Sequence, residues 1–594
     1  MRPAPTHFDR ELLQVAAAAS AVCLLSFLYC FQRGEILLYG DAVAHINIAR
    51  RVFDSQTPGL LQLGTVWLPL PHLLMVPFLL SDWMWQTGVG GSIPSMIGYV
   101  FGVAGIFRLV RGMLKTGACS EPAARAGAWV AAFAYGANPN LLYLQATAMT
   151  ESLYLALFIW AVVYLQEFAQ GDRGLETRIT TKDTKVHEGK RLLLWKCGLC
   201  LAGAELTRYD GWVLAVAMGV VVIGLAVRRW EDRSFRRCAL KFVVGVAAVP
   251  LLWLAYNAAV YGNPLAFANG PYSAKAIEQR TATVNPAANH VGAAASYFLK
   301  SAQLDMAAGN WGRIWIVVAL AGLALTITQL RARWVLLMLW LPLLFYALSI
   351  AYGSVPLFVP AWWPFTWYNL RYGLQLLPLF AVAAGMIPSA LTKFDKAGTA
   401  AEGDSQDEQR ARSLKRQPDA NPRSFAARRQ PETIVAFPAV WVAAAAVIVL
   451  TALSYFSVLK AQPLCFKEAW VNSRTRLALE TAVAERIRSL PRNSEYLMSV
   501  RDHVGVFQQA GVPLRRVINE ENHRPWKKPA DPEGLWERAL ADPARHLDFA
   551  IAYEGDAVDR GVDKSRLTLL LEIHTTGQPR ARIYATRVAL NQSR

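Results

Sequence analysis

Charge is scarce in this chain. Only 18% of its 594 residues are Asp, Glu, Lys or Arg, below the roughly 25% of soluble domains. With 54% hydrophobic residues and a positive mean hydropathy, that scarcity excludes an ordinary soluble domain. Cysteine is equally thin, with seven residues, Cys23, Cys30, Cys119, Cys197, Cys200, Cys238 and Cys465, mostly within or beside apolar runs. Residues 463–594 hold only Cys465, so no internal disulfide is available there. Cys197 and Cys200 have CxxC spacing but no second pair, and small residues packing between helices is a better reading than zinc. The polar opening Met1–Arg10 leads into an apolar run without a small-residue cleavage signature, which reads as a retained span. There is no convincing internal repeat.

What is present is a series of apolar runs long enough, at about 18–22 residues, to cross a hydrocarbon core of about 30 Å. They fall near 12–31, 92–110, 125–145, 149–167, 192–207, 211–228, 238–260, 311–330, 334–352, 369–391 and 433–459. Helices satisfy their own backbone groups in lipid, so the chain reads as an α-helical polytopic membrane protein with about eleven transmembrane helices. The net charge of +18 sits in short loops between spans, which reports orientation by the positive-inside rule and gives no reason to expect a nucleic-acid partner. All the basic loops share one side if residues 35–92 form an outer loop. Within it, the apolar stretch from Val66 to Trp85 contains Pro69, Pro71, Pro77 and Asp82 and suits an interfacial helix better than a crossing one. The expected organisation is a membrane region over 1–391, a disordered cytoplasmic linker at 392–432, a last span at 433–459, and an extracytoplasmic α/β domain over 460–594. In that domain Ala469–Leu490 reads as helix, and Tyr496–Val500, Phe549–Tyr553 and Arg582–Val588 as strands.

On this topology four features meet at the outer face. Asp41 and His45 follow the turn glycine of Leu38-Tyr39-Gly40-Asp41. Thr150-Glu151-Ser152 and Thr207-Arg208-Tyr209-Asp210-Gly211 occupy very short turns. A chargeless aromatic loop from Pro360 to Tyr368, with Trp363 at its centre, leads into Asn369-Leu370-Arg371-Tyr372. Two arginines at membrane depth suit a lipid-linked phosphate, because a guanidinium stays charged and donates in a fork. Interface anchoring explains them otherwise. Asp41 suits a general base, the alternative being an N-cap of the helix that follows. His45 has several open roles: orienting that acid, contacting phosphate or holding a metal. Glu151 favours its helix macrodipole whatever else it does, and Asp210 can pair with Arg208. His72, between prolines of the interfacial stretch, is a weaker candidate.

These residues, in this order and on one side, resemble the GT-C superfamily of integral-membrane glycosyltransferases, in its mannosyltransferase-like and aminoarabinose-transferase-like branches. The family's essential Asp after the first span corresponds to Asp41. Its arginine-containing stretch and turn correspond to Arg50-Arg51 and Ser55-Gln56-Thr57-Pro58-Gly59, and its interfacial segment to Leu68-Pro69-Leu70-Pro71-His72. Two features depart from the pattern: Ala42 follows Asp41 where many members have a second acid, and a Lys-Pro-Pro element is missing.

The resemblance implies an inverting transfer of a sugar from a polyprenyl-phosphate donor to a glycan, lipid or protein acceptor, at the extracytoplasmic face of a bacterial inner or plasma membrane. Asp41 would be the catalytic base. Arg371, Arg208 and His45 would bind the donor phosphate, and Glu151, Tyr372, Trp363 and Asp210 the substrate. No cofactor is certain; a divalent metal stays open, although a lipid monophosphate leaving group needs none in principle. A lipid-linked-sugar flippase and a non-catalytic membrane scaffold are the alternatives.

Overall fold

The computed structural model describes residues 7–116, 119–173, 184–270, 273–281, 284–328, 333–390, 436–501, 503–522, 534–587 and 589. The linker expected at 392–432 lies outside them. Among the described residues, nine helical segments are long and apolar enough to cross a membrane.

The chain opens with α1 (His7–Gln32), then a polar corner and α2 (Gly40–Arg51). The stretch expected to lie at the interface forms two six-residue helices, α3 (Leu70–Met75) and α4 (Asp82–Thr87). Neither approaches the length of a span. Next come α5 (Val89–Thr116), α6 (Glu121–Gly136), α7 (Pro139–Gln145), α8 (Glu151–Arg173), α9 (Thr184–Glu205), α10 (Asp210–Arg228) and α11 (Arg233–Tyr261). The run expected to cross at 125–145 is thus broken between α6 and α7. Asn138 accepts from the backbone N–H groups of Asn140 and Leu141, and Pro139 starts the second helix, where its missing N–H costs nothing.

Two short helices, α12 (Ala266–Asn269) and α13 (Ala274–Thr281), precede α14 (Val291–Met306), α15 (Gly309–Thr328) and α16 (Arg333–Tyr352). The segment Leu370–Ala390 (α17) opens with a 3-10 turn over Leu370–Leu376. After it come α18 (Ala436–Lys460) and α19 (Leu464–Arg488).

Small residues set the helix spacing. A methyl group at Gly127 of α6 would strike the Gly385 carbonyl of α17, and one at Gly98 of α5 would meet the Leu153 backbone of α8 at 2.7 Å. Such close approach replaces the hydrophobic driving force that is missing between helices in lipid. Outward, Leu25, Val216, Leu252, Val317 and Val442 stand largely exposed, as expected of a belt facing acyl chains rather than water.

The C-terminal domain is a five-stranded mixed sheet of β1 (Tyr496–Met498), β2 (Val517–Ile518), β3 (Phe549–Tyr553), β4 (Leu567–Ile573) and β5 (Ala581–Thr586), in the order β2-β1-β3-β5-β4. β1 runs parallel to β2 and β3, while β5 is antiparallel to β3 and β4. Three strands and the long helix agree with the sequence reading; β2 and β4 were not foreseen.

The sheet domain sits against α2 and the loop after it through polar contacts. Asn47 donates to Gln508 Oε1 at 2.7 Å, Gln508 in turn donates to the Trp85 carbonyl at 2.7 Å, and Arg515 pairs with Asp54 at 3.2 Å.

Candidate active site at the helix ends

Asp41 lies in the first turn of α2, but it does not cap that helix. The N-cap position is Tyr39, and no side chain caps there. The Asp41 carboxylate instead accepts from Arg371 Nη2 at 2.6 Å. Arg371, just inside the start of α17, is almost fully enclosed and divides its three donor edges among three carboxylates. Nε faces Glu151 Oε1 at 3.2 Å, Nη1 faces Glu468 Oε1 at 3.2 Å, and Nη2 faces Asp41. Glu151 and Glu468 are buried, whereas the Asp41 side chain is 40% exposed.

Arg208 occupies the short turn between α9 and α10. Its Nη1 donates to Glu151 Oε1 at 2.9 Å and to Thr150 Oγ1 at 3.2 Å, and its Nη2 to the Tyr346 hydroxyl oxygen at 2.7 Å. Tyr346 passes its own proton toward Asp210 Oδ2 at 3.0 Å, and Asp210 Oδ1 lies 3.5 Å from Arg208 Nε. Glu151 Oε1 is therefore shared by both arginines. The Tyr372 ring lies between them, 5.3 Å from the Arg208 guanidinium carbon and 5.2 Å from that of Arg371. These are cation–π distances, and an enclosed site of this kind strengthens them.

The helices explain the convergence. Glu151 begins α8, Asp210 begins α10 and Asp41 lies one residue into α2. Each acid thus sits where the helix macrodipole favours negative charge, and the ends of these three helices meet at the start of α17. Charge outnumbers itself: two guanidinium groups face four carboxylates, Asp41, Glu151, Asp210 and Glu468.

A cavity of about 530 Å³ opens beside Asp41. Its walls come from both parts of the molecule: Gly40, Asp41, Arg51 and Trp67 on the helical part, and Arg476, Arg501, Glu520 and Glu521 on the C-terminal part.

His45 follows Asp41 by one turn of α2, but the structure buries it and pairs it with the other candidate histidine. His45 Nδ1 lies 2.8 Å from His72 Nε2, and Trp67 packs on the His45 ring at 4.7 Å between centroids. Burial, reinforced by the charges of Arg371 and Arg208, pushes the His45 pKa down to about 3. Burial does the same to His72, with His45 and Arg51 adding to it. The pair is therefore neutral at physiological pH, one ring donating and the other accepting. Trp363 stands half-exposed on the aromatic loop, with its carbonyl taken by Tyr297 at 2.7 Å; it is not among the groups that hold either arginine. Among the described residues, no set of three or more His, Cys, Asp or Glu side chains is gathered as a metal would need. The carboxylates that do cluster are engaged by arginine.

Reading the sequence missed Glu468, Tyr346 and the Trp67 contact. Glu468 lies 97 positions beyond Arg371, in the second turn of α19, where nothing in the local pattern marks it.

A bundle of apolar helices whose ends gather arginines and carboxylates beneath a small α/β domain has solved counterparts of the same fold. ArnT from Cupriavidus metallidurans is similar to this chain throughout. Its apo crystal structure aligns with a TM-score of 0.53 at 14% identity, covering 98% of this chain and 98% of that one. Its crystal structure bound to undecaprenyl phosphate aligns with a TM-score of 0.52 at 13% identity, covering 96% and 97%. No protein-family model and no curated protein sequence matches the chain.

Proposed function

We propose that this protein is an inverting glycosyltransferase that moves a sugar from a polyprenyl-phosphate donor to an acceptor hydroxyl at the extracytoplasmic face of the membrane. One observation carries the reading: a partly exposed carboxylate, Asp41, lines a cavity bordered also by Arg476, Arg501 and Glu520, and sits 2.6 Å from an enclosed arginine. The shared fold with ArnT, one structure of which holds undecaprenyl phosphate, supports the choice of donor class.

In this mechanism the Asp41 carboxylate takes the proton of the acceptor hydroxyl. The freed oxygen lone pair forms the new bond to the anomeric carbon from the face opposite the phosphate. The anomeric carbon–oxygen bond breaks, and its electron pair leaves on the polyprenyl phosphate. Arg371 meets that growing negative charge, with the charge of Arg208 behind it, in a site with little water, where such interactions strengthen. Arg371 is already neutralised by carboxylates, so the phosphate takes the place of Asp41 on Nη2. That exchange frees the base at the moment the donor is seated. Tyr372 and Glu151 hold the two guanidinium groups at a fixed separation, and Asp210 anchors Arg208. The neutral His45–His72 pair packs behind Trp67 of the cavity wall and adds no charge there. The N-terminus and the 392–432 linker are cytoplasmic in this reading, and the sheet domain faces outward, where it covers the acceptor cavity.

The test is incubation of the purified chain with a panel of radiolabelled polyprenyl-phosphate sugars, alongside Asp41→Asn. The parent transfers label. The variant loses transfer by about 10²–10⁴-fold, the usual worth of a general base, and keeps its affinity for undecaprenyl phosphate. Full activity in Asp41→Asn would remove Asp41 from the mechanism.

A further inference from the structure

Glu468 belongs to α19, the helix that leads from the last span into the sheet domain. Its seat is fixed by neighbours on the membrane side: the Cys465 N–H donates to Asn140 Oδ1 at 2.8 Å, and Tyr39 donates to the Cys465 carbonyl at 2.9 Å. The Glu468 side chain is buried, and both of its oxygens are occupied. Oε1 accepts from the Asn369 N–H at 3.0 Å and from Arg371 Nη1 at 3.2 Å, and Oε2 accepts from the Leu370 N–H at 2.8 Å.

Asn369 has φ of 57°, in the left-handed region. A residue with a side chain stays there only where its surroundings hold it. Here Glu468 holds its N–H, and the Pro356 carbonyl takes its side-chain amide at 2.9 Å. One carboxylate therefore fixes both the backbone corner from which Arg371 springs and the angle of the guanidinium. With Nη1 on Glu468 and Nε on Glu151, the remaining edge is aimed at Asp41, which lines the cavity.

We propose that Glu468 is a positioning residue for phosphate recognition, through which the helix of the outer domain aims Arg371. The inference rests on the reading of Arg371 as a donor-phosphate ligand and adds the group that orients it. Glu468 touches no substrate. It acts by holding one guanidinium edge and two backbone donors, so that the Nη2 edge alone is left to meet the phosphate.

The probe is undecaprenyl phosphate, with binding to the full chain in nanodiscs read by native mass spectrometry. Glu468→Gln keeps the shape but loses the charge and one acceptor, and is expected to weaken binding by about tenfold or more. Glu468→Asp keeps the charge on a shorter arm and falls between Gln and the parent. Weakened binding alone would also follow from a loosened fold, so the deciding readout is chemical rescue. In Arg371→Ala, guanidinium chloride, compared with matched sodium chloride, is expected to restore binding, because Glu468 and Glu151 still present a cradle for the free cation. In Arg371→Ala with Glu468→Gln the rescue is lost. Equal rescue with Glu or Gln at position 468, or parental affinity in Glu468→Gln, would overturn the positioning role while leaving Arg371 in place. Parental affinity in Arg371→Ala without any guanidinium would instead remove the phosphate reading of Arg371, and this inference with it.

Discussion

Arg371 and Arg208 share a carboxylate oxygen and an aromatic face, yet they look in different directions. Arg208 is tied to Glu151, Thr150, Tyr346 and Asp210, all on or beside the helices α8, α10 and α16. Arg371 is tied to two buried acids and to one exposed acid that borders the cavity. On the proposed function, the first arginine is an internal fastening whose charge supports its neighbour, and the second is the one whose partner a ligand would displace. The difference lies in what the far edge of each guanidinium meets.

The comparison is broken most forcefully at Arg371. Arg371→Ala is expected to reduce sugar transfer by about 10²–10³-fold, the cost of removing a preorganised group from the developing charge. The fold should survive with a smaller drop in melting temperature than at Arg208, because Glu468 loses its guanidinium but keeps two backbone donors, Glu151 keeps Arg208, and Asp41 is solvated. Transfer rates and thermal melting in detergent check this together.

Arg208→Met should reverse the balance. It leaves buried acids short of a partner, and breaking such a pair costs about 3–5 kcal/mol. A large drop in melting temperature is expected, and equal melting for the two variants would erase the distinction drawn here. Tyr346→Phe sharpens it further. The hydroxyl sits between Arg208 and Asp210, and losing hydrogen bonds to charged groups costs about 1.5–3 kcal/mol. Melting should fall while undecaprenyl phosphate affinity changes little.

The smallest effect lies at the neutral wall. His45 is pushed from 6.5 to about 3 in the folded chain, so it contributes stability that is fully present above pH 6.5 and is lost as the pH falls toward 3. The slope is about 1.4 kcal/mol per pH unit once below 6.5. The melting difference between the parent and His45→Gln should therefore shrink between pH 7.5 and pH 5.5. A constant difference would place a charge on that pair.

Much of this arrangement was legible before any coordinates, for a definite reason. The charged residues of the loops assign sides, and on that assignment Asp41, Glu151, Arg208 and Arg371 fall on one face. Short turns leave their side chains little freedom to be elsewhere. The C-terminal domain was legible where strands are apolar and bounded, as in Phe549–Tyr553, and illegible at β2, which is two residues long.

Glu468 and Tyr346 could not be read, because each pairs with an arginine far away in sequence, at separations of 97 and 138 positions. Nothing in their local pattern marks them: one is an acid in the second turn of a helix, the other an aromatic in an apolar span. The break at Asn138-Pro139 was written in the sequence, but the apolar run around it looked continuous. For His45 the spacing from Asp41 left three roles open, orienting that acid, contacting phosphate or holding a metal, and the pairing with His72 was not read.

The most direct test is a structure of this chain with undecaprenyl phosphate bound. The account predicts a phosphate oxygen within about 3 Å of Arg371 Nη2, with Asp41 released from that nitrogen and turned toward the cavity. A phosphate seated away from both arginines, with the Asp41–Arg371 pair still closed, would contradict it.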